Sequence, residues 1–247
     1  MSTRRTHWIG GHRISVTAVL VWVAAATFGS LPAVGQDRAG SSPAPQLDET
    51  PLKQYRAFRR MHAVNEKFNH EAWLEAWTEL DQNGFRYEIV SERGSETIRS
   101  KVLRMMLARE QELIGEGQAR RAELTCDNYE FEEAATHGNG VRYVTLKPKR
   151  KDMLLVDGRM VLNQTGTELL RVEGRLAKNP SFWTSLVNVI REFASLDGVR
   201  VPVTTETIAK LKFAGTARMV VSYEYESING RPVSMAARQT LAAAIGR

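Results

Sequence analysis

The alternation of apolar and polar residues divides the chain into a helix, a hairpin, a second helix and a long run of strands. The stretch "LKQYRAFRRMHAVNEKF" (residues 52–68) follows Pro51, a residue suited to a first helical turn. Its apolar residues recur near helical spacing: Leu52, Tyr55, Phe58, Met61 and Phe68. This spacing predicts an amphipathic first helix.

From residue 72 the period changes to two. "AWLEAWTEL" and "FRYEIV" both alternate, and "DQNG" between them contains Asn83-Gly84, which is suited to a hairpin turn. A second helix is predicted to begin near Ser95 and to end at Gly115 or Gly117. Its apolar stripe contains Ile98, Val102, Met105 or Met106, and Leu113.

The region from Cys126 to about Asn229 is typical of about seven strands, because turn signals recur every ten to fifteen residues. One of these turns is "AKNPSFW", where Asn179-Pro180 predicts a corner between adjacent strands. Phe182 and Trp183 follow it, and alternation along a strand predicts that one ring faces the interior. The fold class is therefore α+β: one large curved antiparallel sheet of about nine strands, an incomplete β-barrel, covered by two helices.

The N-terminal segment indicates export. Arg4, Arg5 and Arg13 precede an apolar run, and Ala33 and Gly35 supply a small-x-small ending, so residues 1–35 are predicted to be a cleaved signal peptide. Gln36 stands where a lipoprotein would have its anchor cysteine, which predicts a soluble periplasmic protein with no stable transmembrane span after cleavage. An uncleaved membrane anchor is the alternative.

The predicted domain organisation follows from these signals. Residues 36–50 are small, polar and proline-bearing, as in a flexible leader. Residues 51–232 form the half-barrel domain, and the alanine-rich residues 233–247 form a C-terminal tail, either a fraying helix or disordered. Cys126, the one cysteine, has no partner for an intramolecular disulfide.

Charge and motifs narrow the function classes. The chain has a net charge of +6, and loss of the three signal-peptide arginines lowers it to +3, too mild to indicate nucleic-acid binding. No catalytic motif is present, so we expect no enzyme and no cofactor. His62 and His70 lie eight residues apart, which spans about 12 Å along a helix and excludes one shared metal ion.

The apolar inventory instead suggests a cavity that adapts to an apolar ligand, because it is rich in methionine and aromatic residues. Plain core packing is the alternative for each residue. The candidate lining residues are Trp73, Trp77, Phe85, Tyr87, Ile89, Met105, Met106, Leu154, Val156, Met160, Leu162, Met219, Val221 and Tyr223, with Tyr225 on the same alternating stretch. The basic residues of "KPKRKD" are candidates for a rim that contacts an anionic headgroup or an acidic partner surface, with a solvated turn as the alternative: Lys147, Lys149, Arg150 and Lys151.

The second half of the chain resembles exported bacterial proteins similar to the outer-membrane lipoprotein-sorting and carrier family (LolA-like). The residues that carry the likeness are "LKPKRKDMLLVDGRMVLNQTGTELLRVEGRLAKNPSFW", "GVRVPV" and "YEYESING", together with "GFRYEIVSERGSETIRSKVL" and "NYEF" upstream. The resemblance covers about residues 52–230 and implies a half-open antiparallel barrel, closed by helices, whose apolar interior holds acyl chains.

The functional expectation is a periplasmic, non-catalytic protein that binds a lipid or lipoprotein acyl chain, for transport to the outer membrane. The alternative is an envelope interaction or sensor module with a solidly packed barrel and a protein partner. The volume between helices and sheet distinguishes the two.

Overall fold

The computed structural model describes residues 44–133 and 140–245, which form one large sheet and its covering helices. The strands are β1 (Thr50–Pro51), β2 (Tyr55–Asn65), β3 (His70–Asp81), β4 (Gly84–Gly94), β5 (Tyr129–Glu133), β6 (Val141–Pro148), β7 (Val156–Asn163), β8 (Leu169–Leu176), β9 (Thr184–Leu196), β10 (Val199–Leu211), β11 (Gly215–Ile228) and β12 (Arg231–Pro232). The order across the sheet is β4-β3-β2-β11-β10-β9-β8-β7-β6-β5, with β1 beside β10 and β12 beside β11.

The observed sheet confirms the predicted fold class. Apart from the parallel pair of β1 with β10, neighbouring strands are antiparallel. In the described part of the chain β4 and β5 are the two edges, so the curved sheet is not closed into a barrel. It has twelve strands rather than about nine, because β1 and β12 are short additions and β2 replaces a predicted helix.

The prediction of a first helix at residues 52–68 is wrong. Tyr55 to Asn65 form the strand β2, whose inward residues are Tyr55, Ala57, Arg59, Met61 and Ala63. The period of two is obscured in the sequence because a buried arginine occupies the centre of the inward face. β3 and β4 pair as the predicted hairpin, with Gly84 at φ 100° in its turn.

The middle of the sheet joins the two ends of the described chain. β2 lies between β3 and β11, and its register with β11 runs from Tyr55 opposite Ile228 to Asn65 opposite Ala217. An N-terminal strand and a C-terminal strand of the described chain are thus hydrogen-bonded neighbours.

The second predicted helix is confirmed and is the main helix of the fold. It comprises α1 (Glu96–Ile98), a π-helical segment (Arg99–Arg104) and α2 (Met105–Gly115), which we call together the cover helix, followed by a 3₁₀ helix (Gln118–Ala122). Its buried apolar residues are Ile98, Leu103, Met106, Leu107 and Leu113. The side chain of Gln111 donates to the Phe85 carbonyl of β4 (3.1 Å), which attaches the helix to an edge strand. A third helix, α3 (Met235–Ile245), occupies the predicted tail.

Two large groups of buried side chains fill the interior. The first joins the cover helix to β2, β3 and β9–β11, and the second joins β5–β8 to Phe193 of β9. Residues 44–50 belong to the segment expected to be a flexible leader, and there Ala44 and Leu47 pack on the second group. The Asp48 backbone N–H also donates to the Thr167 carbonyl (3.0 Å), so this segment covers part of the sheet.

The predicted signal peptide, residues 1–35, lies outside the described residues, and export to the periplasm stays a prediction. Within the described residues, none of the helices has the length and apolar character needed to cross a bilayer.

Candidate ligand-binding site

A buried ion pair connects the cover helix to the inner face of the sheet. Nη1 of Arg59, on β2, donates to Oε2 of Glu110, on α2, at 2.6 Å, and Nη2 donates to Oε1 at 3.0 Å. The two side chains are 1% and 2% exposed. Arg59 reaches this position because strand alternation turns it inward between Ala57 and Met61. We call this contact the interior ion pair.

Aromatic rings surround the guanidinium of Arg59. Its central carbon lies 4.9 Å from the ring centre of Tyr223, 5.1 Å from that of Phe85 and 5.9 Å from that of Tyr55. Nη2 also donates to the Tyr55 hydroxyl at 2.5 Å. Burial alone would lower the pKa of Arg59, but the charge and hydrogen bond of Glu110, together with Tyr55 and Tyr223, raise that pKa well above its ordinary value.

A second arginine, Arg191 of β9, lines the same small interior cavity as Arg59. Desolvation lowers the pKa of Arg191 from its usual value. Burial likewise raises the pKa of Tyr55 and Tyr225 above the range of an ordinary tyrosine. The Tyr225 hydroxyl donates to the Pro202 carbonyl at 2.8 Å. In the described part of the chain the interior therefore holds two cations and one carboxylate among tyrosines, inside a largely apolar core.

The space left between these side chains is small. The cavity has a volume of about 10 Å³ and is lined by Leu52, Tyr55, Arg59, Arg191, Pro202, Tyr223 and Tyr225. A single water molecule needs roughly 10–15 Å³ of such space. In this conformation the cavity is thus too small for an acyl chain, and a ligand would require the side chains that line it to move.

Two hydroxyls extend the polar stripe along the inner face of β10. Thr205 and Thr207 are each 1% exposed, and within the described residues their Oγ1 atoms have no hydrogen-bond partner. Thr205 lies opposite Arg191 in the register of β10 with β9. Buried hydroxyls without partners cost about 1–3 kcal/mol each, so a polar ligand atom entering here would recover part of that cost.

The structure divides the predicted lining residues among separate clusters. Those in the first group of buried side chains are Phe85, Met106, Met219, Val221 and Tyr223, with Tyr225 beside them and Tyr87, Ile89 and Val156 packed at the margin. Met160 and Leu162 belong to the second group, and Leu154 to a small third cluster with Leu113 and Ala122.

Three of the predicted lining residues lie elsewhere. Trp73 and Trp77 are on the outer face of β3, because Ala72, Leu74 and Ala76 take the inner face. Arg93 covers Trp73 at 4.5 Å, and Arg56 covers Trp77 at 4.7 Å, which shields both rings from water. Met105 is exposed on the outer side of the cover helix.

The predicted rim residues lie at the end of β6 and in the connection to β7. Lys147 forms an ion pair with Glu132 across β5 and β6. Arg150 donates to the Asn128 side chain (2.7 Å) and approaches Asp152 (3.3 Å). Lys149 and Lys151 are exposed. This segment is therefore partly committed to local ion pairs, and two of its four cations point to solvent.

The histidines of the sequence analysis lie on strands. His62 stacks on Trp73 with ring centres 4.6 Å apart, and its Nε2 is 3.3 Å from Glu71. No three potential metal-ligating side chains gather in the parts of the chain that the structure describes.

Sequence reasoning missed the three charged residues of the interior: Arg59, Glu110 and Arg191. The available signal was the spacing of Tyr55, Ala57, Met61 and Ala63, which places residue 59 on an inward face if the segment is read as a strand. Glu110 lies one turn from Met106 and Leu113 on the buried face of α2.

Comparison with known proteins adds little to this geometry. No family model and no curated protein matches the chain. Among solved structures, the chain is similar to the crystal structure of a DUF1329 family protein from Desulfovibrio piger, at 12% identity and a TM-score of 0.31. That similarity covers 76% of this chain and 91% of the other.

Proposed function

We propose that this protein is a non-catalytic, periplasmic, LolA-like carrier that holds the acyl chain of a lipid or lipoprotein between the cover helix and the curved sheet. The observation that supports the proposal is the interior ion pair of Arg59 and Glu110, which connects the one long helix to the sheet inside an apolar core. The structure then corresponds to the closed, ligand-free state.

Buried ion pairs are weak stabilising devices. Replacing one by apolar residues of similar volume is often neutral or stabilising, whereas removing one partner costs about 3–5 kcal/mol. A contact of this kind is suited to a two-state element, because it holds one arrangement and is lost in the other. Here it fixes the cover helix in the closed position.

Burial of an acyl chain supplies enough free energy to open such an element. Each buried methylene contributes about 0.8 kcal/mol, so about ten methylenes contribute roughly 8 kcal/mol, whereas the ion pair that separates on opening is itself only weakly stabilising. Methionines on both sides of the interface, Met106 on the helix and Met61 and Met219 on the sheet, adapt to variable apolar shapes.

The second candidate function is an envelope interaction module with a filled interior. The cavity of about 10 Å³ favours it, since the closed interior needs no ligand to be packed. The two candidates differ in whether the cover helix opens.

Lipid binding is tested with protein that begins at residue 36, analysed by native mass spectrometry as purified and titrated with a pyrene-labelled fatty acid. Glu110→Ala removes the interior ion pair and is expected to increase probe affinity at least threefold, because the open state becomes more populated. The matched control is Glu112→Ala, which removes an exposed glutamate of the same helix that pairs with Arg109 at the surface.

The double variant Arg59→Met/Glu110→Leu replaces the ion pair by apolar side chains and is expected to bind the probe more weakly than the wild type, because it favours the closed state. Absence of bound lipid, together with no probe binding by the wild type or by Glu110→Ala, would reject the carrier proposal and leave the interaction module.

A further inference from the structure

Three neighbouring hairpins end at the same edge of the sheet. The turns β2–β3 (residues 66–69), β10–β11 (residues 212–214) and β8–β9 (residues 177–183) follow one another, because β3, β2, β11, β10, β9 and β8 are consecutive strands. The registers place Asn65 opposite Ala217 and Thr184 opposite Leu211, so these turns lie together.

Each of these turns exposes aromatic side chains. Phe182 is 76% exposed, Phe213 63%, Phe68 50% and Trp183 43%. The rings of Phe182 and Trp183 are 5.4 Å apart, and Trp183 lies at the same distance from Phe213. We call the three turns that carry these four residues the aromatic end. The sequence-based prediction that Phe182 or Trp183 faces the interior is wrong, because both precede the regular part of β9.

The turns of the aromatic end are tied to one another through backbone groups. The Lys212 N–H donates to the Trp183 carbonyl at 2.9 Å, and the Asn65 side chain donates to the Ala214 carbonyl at 3.0 Å. Lys67 Nζ donates to the Phe213 carbonyl at 2.9 Å. Because these polar groups are already hydrogen-bonded to one another, moving the turns from water into a less polar environment would leave few of them without a partner.

Lysines accompany the aromatic rings. The Lys212 ammonium lies 3.7 Å from the ring centre of Phe182, and that of Lys67 lies 5.9 Å from the ring centre of Phe68. With exposed Lys178, the three turns carry three lysines and a single acid, Glu66. The aromatic end therefore has a net positive charge.

The exposed lysines Lys149 and Lys151 belong to the same edge. They lie in the connection between β6 and β7, and this connection is joined to the β8–β9 turn by a hydrogen bond from the Ala177 N–H to the Leu155 carbonyl (2.8 Å). The positive charge thus continues beyond the three aromatic turns.

We propose that the aromatic end docks on the surface of an anionic lipid bilayer, with the rings in the headgroup layer and the lysines against lipid phosphates. Aromatic residues favour the membrane interface, and each cation near an anionic surface strengthens binding. A second copy of the chain fits less well, because a twofold contact would bring like-charged lysines together. The surface is distinct from the interior, and the proposal does not depend on lipid entering it.

Vesicle co-sedimentation tests the proposal, again with protein that begins at residue 36, so that the apolar residues 14–29 cannot contribute. The probes are vesicles of phosphatidylcholine alone and vesicles containing 30% phosphatidylglycerol, a composition chosen as roughly that of an anionic surface. We expect binding to the anionic vesicles only, and weaker binding as salt is raised. Phe182→Ser/Phe213→Ser is expected to weaken binding at least tenfold.

The matched control is Val90→Ser/Met235→Ser, which removes two apolar side chains that are 54% and 72% exposed outside the aromatic end. Its binding is expected to stay within twofold of the wild type. Insertion itself is read from quenching of Trp183 fluorescence by brominated lipid, which Trp183→Phe should abolish while vesicle binding is largely retained.

Three results would overturn the proposal. The first is no binding to anionic vesicles, including the case in which the aromatic end mediates dimerisation measured by sedimentation velocity. The second is equal binding to both kinds of vesicle. The third is equal loss in the test and control variants. An empty interior combined with intact vesicle binding would reject the carrier function but not this proposal.

Discussion

Removal of the Glu110 carboxylate tests the energetic role of the interior ion pair. The Arg59 guanidinium is 1% exposed and stays charged at any ordinary pH, so Glu110→Ala leaves a buried cation without its counterion. Two charge-assisted hydrogen bonds, of 2.6 and 3.0 Å, are also lost. We expect a loss of about 3–5 kcal/mol in the free energy of unfolding.

The measurement is urea unfolding followed by circular dichroism, with linear extrapolation to water. Glu112→Ala, which removes a surface pair on the same helix, should cost less than about 1 kcal/mol. Arg59→Met/Glu110→Leu should lie within about 1 kcal/mol of the wild type or above it, because neither charge remains buried. A Glu110→Ala loss no larger than that of Glu112→Ala would refute the assignment of Glu110 as the essential counterion.

Three further predictions concern packing and pH. Gly158→Ala should lower the free energy of unfolding by about 1–3 kcal/mol, because the added Cβ would lie 2.1 Å from the Glu173 carbonyl oxygen. Gly115→Ala is the control: its Cβ would enter open space, so no measurable loss is expected in the same urea assay. Desolvation would raise the pKa of Asp152, but hydrogen bonds from Arg121, the Leu154 N–H and Arg150, together with the charge of Arg121, lower it. Asp152 therefore stabilises the fold above about pH 4, and that stability is lost as pH falls through the lowered pKa. The stability difference between wild type and Asp152→Asn should shrink over that acid range. Burial raises the pKa of Tyr129 to about 12, so its contribution to stability is complete below pH 10 and is lost as pH rises towards 12. Tyr129→Phe should therefore lose less stability than the wild type between pH 10 and 12, measured by urea unfolding at each pH. An unchanged dependence of the unfolding free energy on pH would contradict this prediction.

The sheet was predictable from sequence to the extent that its inward residues are apolar. β3, β4 and the strands after Cys126 alternate visibly, and the turns between them are marked by glycine, asparagine and proline. β2 could not be predicted as a strand, because Arg59 on its inward face breaks the alternation of apolar and polar residues that identifies a strand. Only the partner on the cover helix, Glu110, explains why an arginine is tolerated there.

The face of β3 was also unpredictable from the strand alone. A two-residue alternation does not show which of the two faces of a strand is buried, and the large apolar rings suggested that Trp73 and Trp77 face the interior. Ala72, Leu74 and Ala76 instead take the inner face, in one buried group with the cover helix, and the larger rings of Trp73 and Trp77 are covered by arginines on the outside. The candidate site depends on such contacts between distant segments, which no local pattern contains.

The pairing of β2 with β11 has a consequence for how the chain matures. Tyr55 finds its partner only when Ile228 has been synthesised, so the centre of the sheet is completed last in a chain that emerges from its N-terminus. Until then β2 is an uncovered edge, open to pairing with other chains. Folding should therefore be slow, and fragments that end before residue 215 should aggregate.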